Sequence, residues 1–440
     1  MFTIRYLTRL LIEFIIRFRL VFILSIIIGT ISFFFVRAIA PLIFDNKIVR
    51  IGISGRFTVE DIPYNIQRQI SRGLTKTEES GKVEPDLAQS WETPDKGKTW
   101  IFILKKDLKW NDGSPLKSRD LNYNFSDVIS EFPDENTIVF KLSTPYSPFP
   151  VVVSKPVFKK GLLGVSSWKI DKITLMGSFV QTLAISDDSG TKKIYKFYPT
   201  EDQTKLAFRT AEVDKIEGLI DPKPLDSWNT VKIANEVNRN RLVIIFINTE
   251  DNLLTDKTLR QAFAYAIDKE SLGERASSPI SINSWAYNPQ VKSYDYDKER
   301  AKEIMDQYLK DKDNKILEVK IASYPSLLPV AEKIAQNLKE IGVNTSVQVS
   351  SITPHEYQLF LAIYDIPIDP DQYSVWHSTQ IETNITKYKS PRIDNLLEDG
   401  RTELDFESRK KIYLDFQRFL LEDSPAIFLY YPEYYSVERL

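Results

Sequence analysis

Residues 85–125 constrain the fold of this chain more than any other segment, because they change structural type repeatedly within a short distance. Residues 99–104 are β-branched, apolar or aromatic and predict a strand. Residues 111–113 read Asn-Asp-Gly and predict a turn, in which glycine can take a positive φ without a steric clash. We expect a helical turn at residues 85–91, before the strand, and a helix that begins after Ser118, a residue suited to cap it. The segment therefore predicts an α/β unit.

Four motifs in this segment also resemble a known family. They read PDLA at 85–88, TWIFIL at 99–104, KWNDGSPL at 109–116 and DLNYNF at 120–125. Their order resembles the signature of the family 5 extracellular solute-binding proteins, which are the dipeptide, oligopeptide and nickel receptors of ABC importers. The resemblance implies an α/β fold of the two-lobed, type II periplasmic-binding-protein kind, with mixed sheets and hinge strands.

The rest of the chain continues this resemblance and suggests where the lobes divide. An apolar strand at 241–248, followed by a helix at 255–271, resembles the family's crossing into the second lobe. The β-α-β alternation that follows agrees with α/β lobes. The predicted organisation is a basic cytoplasmic segment at 1–19, a transmembrane helix at 20–44, lobe I at 46–241 plus 425–440, and lobe II at 242–424.

Two departures from the family pattern concern lobe I. Most members have a longer helical insertion between the pieces that end here at Phe125 and begin again at Asp134, so we expect a reduced subdomain. The Gly-Thr-Gly-Pro-Tyr segment of the family is missing, and residues 161–168 occupy its place. Because that loop lies near the ligand cleft in the family, the sequence leaves the ligand class open.

Charge and metal-binding residues exclude several classes of function. A net charge of −2 over 440 residues leaves no basic excess for phosphate groups, so nucleic acid is not an expected partner. The absence of cysteine removes disulfides, thiolate metal sites and attachment through a lipidated cysteine. The two histidines, His355 and His377, do not have the spacing of metal ligands. We therefore predict no cofactor and no metal.

The N-terminal region predicts a membrane anchor. Residues 20–36 contain no charged residue, and the apolar character resumes beyond Arg37, which can snorkel to the interface. Four arginines and one glutamate precede this run, so the positive-inside rule places the N-terminus in the cytoplasm and the bulk of the chain outside. The alternative is a signal peptide cleaved after Ala40, because residues 38–40 have the small-x-small form, although Pro41 disfavours cleavage there.

The polar segment 363–378 carries the predicted ligand-binding residues. In peptide-binding relatives an acid four residues before a proline pairs with the ligand's α-ammonium group, since a cation removed from water needs a carboxylate partner. That position here is Ile366, and one inserted residue would place Asp365 in the role. The predicted ligand-binding residues are Asp365, Asp369, Asp371, Tyr364, Tyr373 and Trp376. The alternative is that the acids only cap turns and the aromatic residues belong to the core.

The predicted function is that of a membrane-anchored, extracytoplasmic solute-binding protein of an ABC importer. We expect a monomer that closes its lobes on a short peptide and presents it to a permease. One alternative is an anchored sensor or interaction module of the same fold without a transport role. Another is an anchored hydrolase, but the chain has no Gly-x-Ser-x-Gly elbow and no phosphate loop, so no catalytic residue is predicted.

Overall fold

The computed structural model describes residue 14 and residues 17–43, 48–159, 162–310 and 317–440. The first helix, α1 (Arg19–Ile43), coincides in extent with the helix predicted at 20–44. The apolar side chains of this helix that the structure describes are exposed, with Leu20 at 74%, Ile31 at 61% and Phe35 at 62%. A search of the described residues identifies no helix with the length and hydropathy of a membrane span. Most of the predicted cytoplasmic segment lies outside the described residues.

The remaining described chain forms two large mixed sheets, one small sheet and one hairpin, with helices on the sheet faces. The elements in chain order are β1 (Ile48–Ser54), α2 (Tyr64–Ile70), β2 (Thr75–Thr77), β3 (Val83–Pro85), β4 (Ala88–Glu92), β5 (Thr99–Leu104), β6 (Val128–Glu131), β7 (Thr137–Leu142), α3 (Phe149–Val152), β8 (Lys169–Met176), β9 (Phe179–Ser186), β10 (Lys192–Tyr198), α4 (Glu201–Arg209), β11 (Lys215–Leu219), β12 (Val231–Val237), β13 (Arg241–Ile247), α5 (Lys257–Ala266), β14 (Glu274–Arg275), α6 (Lys298–Lys310), β15 (Leu317–Ser323), α7 (Leu328–Glu340), β16 (Val343–Val349), β17 (Leu359–Asp365), α8 (Tyr373–Trp376), α9 (Pro391–Thr402), α10 (Phe406–Asp423), β18 (Ala426–Tyr431) and β19 (Glu433–Arg439).

The first large sheet has the strand order β12-β19-β11-β1-β10-β9-β8. β1 runs parallel to β10 and β11, and the other neighbours are antiparallel. Helix α2 covers one face through Ile66 and Ile70, which are buried in the same cluster as Ile51 of β1. Helix α4 covers the other face, where Thr204 leaves no spare room beside Gly52. This sheet and its helices form the first lobe.

The second large sheet has the strand order β14-β18-β13-β17-β15-β16. Its strand β13 is apolar at six consecutive positions, 242–247, because both of its faces are buried. Val243, Ile245 and Ile247 belong to one core cluster, whereas the alternate residues belong to a second cluster on the opposite face. Alternation of side chains along a strand explains this division. The two sheets confirm the predicted two-lobed α/β fold with mixed sheets.

The small sheet, β4-β5-β7-β6, and the β2-β3 hairpin contain the strands of residues 85–125. Two local predictions were wrong there. Pro85 ends β3 and residues 88–91 belong to β4, and Ser118 starts only a single 3-10 turn. Tyr123 donates its hydroxyl to the Val153 carbonyl at 2.8 Å, and the ring of Phe125 lies 5.7 Å from that of Phe149. These tertiary contacts outweigh helix propensity, which is a weak local preference.

Two crossings join the lobes, and they differ from the predicted boundaries. Residues 238–240 connect β12 to β13, so Arg241 begins a strand of the second lobe. β18 pairs with β13, so the chain returns to the first lobe at Pro432 and not at residue 425. The Asn238 N–H donates to the Pro432 carbonyl at 2.9 Å. The two crossings are therefore bonded to each other, which suits a shared hinge.

Candidate ligand-binding site

A cavity of about 540 Å³ lies between the two lobes. Its first-lobe wall follows the carboxyl end of β1, and its second-lobe wall follows the carboxyl end of β17. In open α/β sheets, ligands bind outside the carboxyl ends of the strands. The lining residues are Glu60, Asp61, Tyr64, Gln67, Tyr146, Pro148, Val151, Val152, Ser154, Lys155, Pro367, Ile368, Asp369 and Asp371.

The second-lobe wall is built on the sequence Asp369-Pro370-Asp371. The Asp369 carboxylate accepts two hydrogen bonds from Arg409 of α10, from Nη2 at 2.6 Å and from Nη1 at 2.9 Å. It also accepts the Asp371 N–H at 2.9 Å, which fixes the turn. Both side chains of the pair are only 10% exposed. Asp369 is therefore neutralised by the protein itself.

Asp371 is held more loosely. One of its oxygens accepts the Tyr373 N–H at 3.1 Å, and the other lies 3.1 Å from Nε of Arg401. That Nε–H has no hydrogen-bond partner of acceptable geometry in the described chain, so the contact with Arg401 is an ion pair without an aligned hydrogen bond. Burial raises the pKa of the Asp371 carboxyl above its usual range, and the charge of Arg401 opposes that shift. Asp371 can therefore accept a further donor from a ligand.

Arg401 also connects the second lobe to the first. Its guanidinium lies 4.3 Å from the ring of Tyr373 and 5.0 Å from the ring of Tyr146, which belongs to the first lobe. Cations over aromatic faces are attracted by the ring quadrupole. The Ser147 N–H donates to the Arg401 carbonyl at 2.7 Å, and the Ser147 hydroxyl donates to the Gly400 carbonyl at 3.3 Å. The two lobes are thus in contact at one end of the cavity.

A second contact between the lobes is made by the turn of the β2-β3 hairpin. Gly81 has a φ of +81°, and a Cβ there would lie 2.6 Å from the Ile368 carbonyl. The N–H of Trp285 donates to the Ser80 carbonyl at 2.9 Å. A residue with a side chain would meet both backbone strain and a steric clash at Gly81. The glycine is therefore required for this close approach of the lobes.

The six predicted ligand-binding residues all lie in the described chain, and the cavity brings two of them together, Asp369 and Asp371. Asp365 stands at the end of β17, with its side chain 74% exposed, and pairs with Arg241 beside the hinge. Trp376 is fully buried and donates Nε1–H to the Gln372 side chain at 2.7 Å. Tyr364 and Tyr373 pack against the core cluster that contains Trp376. None of these four is among the residues that line the cavity.

The first-lobe wall was not predicted from the sequence. Glu60 and Asp61 lie in the loop between β1 and α2, Tyr64 begins α2, and Lys155 follows α3. The signal for the first three was their place after β1, a central strand of the first large sheet. Carboxylates on both walls suit a ligand that carries a positive charge. Among the described residues, no group of three or more His, Cys, Asp or Glu side chains is arranged to hold a metal ion.

A larger hollow, of about 1350 Å³, lies elsewhere on the described surface. It is lined by second-lobe residues alone, many of them charged or amide-bearing, such as Glu318, Lys320 and Gln348. A ligand there would touch one lobe and could not distinguish an open arrangement of the lobes from a closed one. The smaller cavity that both lobes enclose is therefore the candidate ligand site.

This cavity and the two mixed-sheet lobes define a two-lobed solute-binding protein. The chain belongs to the bacterial extracellular solute-binding proteins, family 5, because the sequence model of that family matches residues 82–180 and 191–382. This is a family of solute-binding proteins and not of enzymes. The membership confirms the resemblance that the motifs at 85–125 predicted.

Known proteins of this kind are similar along most of the chain. The oligopeptide-binding protein AppA of Bacillus subtilis is 24% identical over 456 aligned positions, covering 86% of this chain and 83% of AppA. The structure of AppA in complex with a nonapeptide superposes with a TM-score of 0.68 at 21% identity, covering 90% of this chain and 95% of that one. The structure of NikZ from Campylobacter jejuni in complex with Ni(L-His) gives a TM-score of 0.72 at 22% identity, covering 90% and 94%. At these identities the structural likeness shows the fold.

Proposed function

We propose that this protein binds a short peptide between its lobes and delivers it to the permease of an ABC importer. The observation that carries the proposal is a cavity bounded by both lobes, with Asp371 in its second-lobe wall. A ligand that contacts both walls favours the closed arrangement, because its binding free energy differs between the open and closed states. In this mechanism Asp371 pairs with the α-ammonium group, and polar groups of both lobes bind the peptide backbone.

The lining of the cavity supports a peptide over a nickel complex as the ligand. Similar proteins include both kinds, since AppA is described as an oligopeptide-binding protein and the NikZ structure holds Ni(L-His). The lining residues of the cavity include four carboxylates and no histidine. Imidazole is a preferred protein ligand for nickel, whereas a carboxylate suits an ammonium group.

Thermal unfolding of the full chain in mild detergent tests the proposal. Protein shown by mass spectrometry to be free of co-purified ligand is mixed with a library of di- to pentapeptides. A peptide at 100 times its Kd stabilises the folded state by about 2.7 kcal/mol, so the melting temperature should rise with peptide concentration. No shift with any peptide contradicts the proposal.

A second function, that of an anchored sensor or interaction module without transport, is favoured by one observation. The Arg401 guanidinium of the second lobe already lies 5.0 Å from the ring of Tyr146 in the first lobe, and the Ser147 N–H donates to the Arg401 carbonyl at 2.7 Å, so the lobes can meet without a ligand. Small-angle X-ray scattering of ligand-free protein separates the two functions. A compact particle that peptides do not change supports the module, and an open particle that peptides make compact supports the transport receptor.

We further propose that α1 anchors the chain in the membrane, with residues 1–19 in the cytoplasm and the lobes outside. The search of the described residues identified no membrane span. The support for the anchor is instead the exposure of the described apolar side chains of α1, together with the arginines that precede it. Alkaline carbonate extraction of membranes tests the anchor. The protein should remain in the pellet, and mass spectrometry should find an intact N-terminus. Release of a chain that begins at residue 41 would contradict the anchor.

A further inference from the structure

A second, smaller cavity of about 230 Å³ adjoins the cleft. Glu60, Gln67 and Lys155 line both cavities, so the smaller one opens from the first-lobe wall of the larger. The Gln67 side chain donates to the Ile62 carbonyl at 2.6 Å, which holds it at the junction. The smaller cavity, which we call the side pocket, lies between α2, β8 and the segment after α3.

Eight of the fourteen residues that line the side pocket are apolar. Ile62, Ile70 and Val157 are at most 3% exposed, and Phe158 and Ile170 are half-buried beside them. Apolar walls of this kind favour an apolar occupant, because burial removes its surface from water.

The polar groups around the side pocket are either at its mouth or already bonded. Asn122 and Asn124 are exposed. Tyr123 donates its hydroxyl to the Val153 carbonyl at 2.8 Å and accepts the Leu74 N–H at 3.0 Å. A hydroxyl engaged twice in this way has little left to offer a polar ligand group. The side pocket therefore combines apolar walls with polar groups that are exposed or already hydrogen-bonded.

We propose that the side pocket binds one large apolar side chain of the peptide, preferably an aromatic one. This inference rests on the proposed peptide-binding function and adds a substrate class to it. An apolar cavity of about 150 Å³ is large enough to hold benzene, so the side pocket has room for a phenylalanine side chain. Small side chains leave the pocket unfilled, and charged ones lose hydration without a partner inside.

Isothermal titration calorimetry with full-length, ligand-free protein tests the proposal. The first probe is Ala-Ala-Ala, and three further tripeptides carry Phe in place of one alanine, each at a different position. Parallel series carry Leu, Trp, Glu or Lys in place of Phe. At one position, Phe should bind about tenfold or more tightly than Ala, from the apolar surface that it buries. Glu and Lys at that position should bind no more tightly than Ala.

Two variants test whether the preference for Phe arises in the side pocket. Val59 lines the side pocket and is half-buried, so Val59→Phe should fill it and reduce the preference for Phe to less than about twofold. Phe158→Ala enlarges the pocket and should shift the preference from Phe to Trp. Val349→Phe, at an exposed position of β16 in the other lobe, is the matched control and should keep the wild-type preference.

The outcomes distinguish this inference from the function on which it rests. Equal binding of all the peptides overturns the side pocket and leaves peptide binding intact. A Phe preference that survives both Val59→Phe and Phe158→Ala, in variants that melt as cooperatively as wild type, also overturns it. Failure of every peptide to bind overturns the proposed function, and the side-pocket inference with it.

Discussion

Arg409 holds both oxygens of Asp369, at 2.6 and 2.9 Å, in a pair that is nine-tenths buried. This relationship separates two acids that stand two positions apart in the sequence. Asp369 is satisfied by the protein, and the cavity is left with Asp371 as the second-lobe carboxylate that can accept a ligand donor. The two residues should therefore respond differently to substitution.

Asp369→Asn should destabilise the fold. The substitution leaves the Arg409 guanidinium buried without its counter-charge, and breaking a buried pair in this way costs about 3–5 kcal/mol. Urea unfolding monitored by tryptophan fluorescence measures the loss. Asp365→Asn is the control, because that side chain is 74% exposed and its pair with Arg241 should contribute less than about 1 kcal/mol. Equal effects of the two substitutions would contradict the assignment.

Asp371→Asn should weaken ligand binding with little effect on folding. A hydrogen bond to a charged group contributes about 1.5–3 kcal/mol, so the affinity for a tripeptide should fall about 10- to 100-fold. Calorimetry with the free and the N-acetylated peptide identifies the group involved. Wild type should prefer the free amine, and the variant should bind both forms alike. A variant that still discriminates between them would show that another acid holds the ammonium group.

Acid pH should weaken ligand binding through the same residue. Burial raises the pKa of Asp371, so the ligand-free folded protein protonates it at a higher pH than the unfolded chain does. The ionised carboxylate therefore costs folding free energy at neutral pH, and this cost is relieved as the pH falls through the raised pKa. An ammonium ligand needs the ionised form, so its affinity should decline over the same range.

Titration of a C-terminally amidated peptide between pH 7 and pH 4 measures the decline, because that peptide has no carboxyl group of its own. Asp371→Asn should give a flat profile in this window. A wild-type profile as flat as that of the variant would remove Asp371 from the binding step.

Gly81→Ala should hinder closure of the lobes. Its Cβ would lie 2.6 Å from the Ile368 carbonyl across the lobe interface. Gly113→Ala is a matched control, since Gly113 has nearly the same φ, +82°, and nothing within 4 Å of its Cβ position. Both should lose about 1 kcal/mol of stability to backbone strain. Gly81→Ala alone should show a larger radius of gyration with peptide bound, by small-angle X-ray scattering. Equal compaction of both variants would contradict the closing role of this contact.

The sequence predicted the apolar strand β13 correctly but not the local structure after Ser118. β13 was predictable because a strand buried on both faces must be apolar at every position, and its residues 242–247 are. The helix expected after Ser118 did not form, because Tyr123 and Phe125 contact residues of the later segment around α3. Local pattern describes short-range preference, and contacts with a distant segment can outweigh it.

The sequence by itself determined the family, the two-lobed α/β class and the polar segment that contains Asp369 and Asp371. Only the tertiary structure decided which of these acids is available, since Arg409 is 40 residues away and its pairing with Asp369 has no local signal. It also brought the wall that follows β1 opposite the turn that follows β17, with the side pocket behind it. A binding site made by two lobes depends on which distant groups meet and which are neutralised on the way, and that is a property of packing.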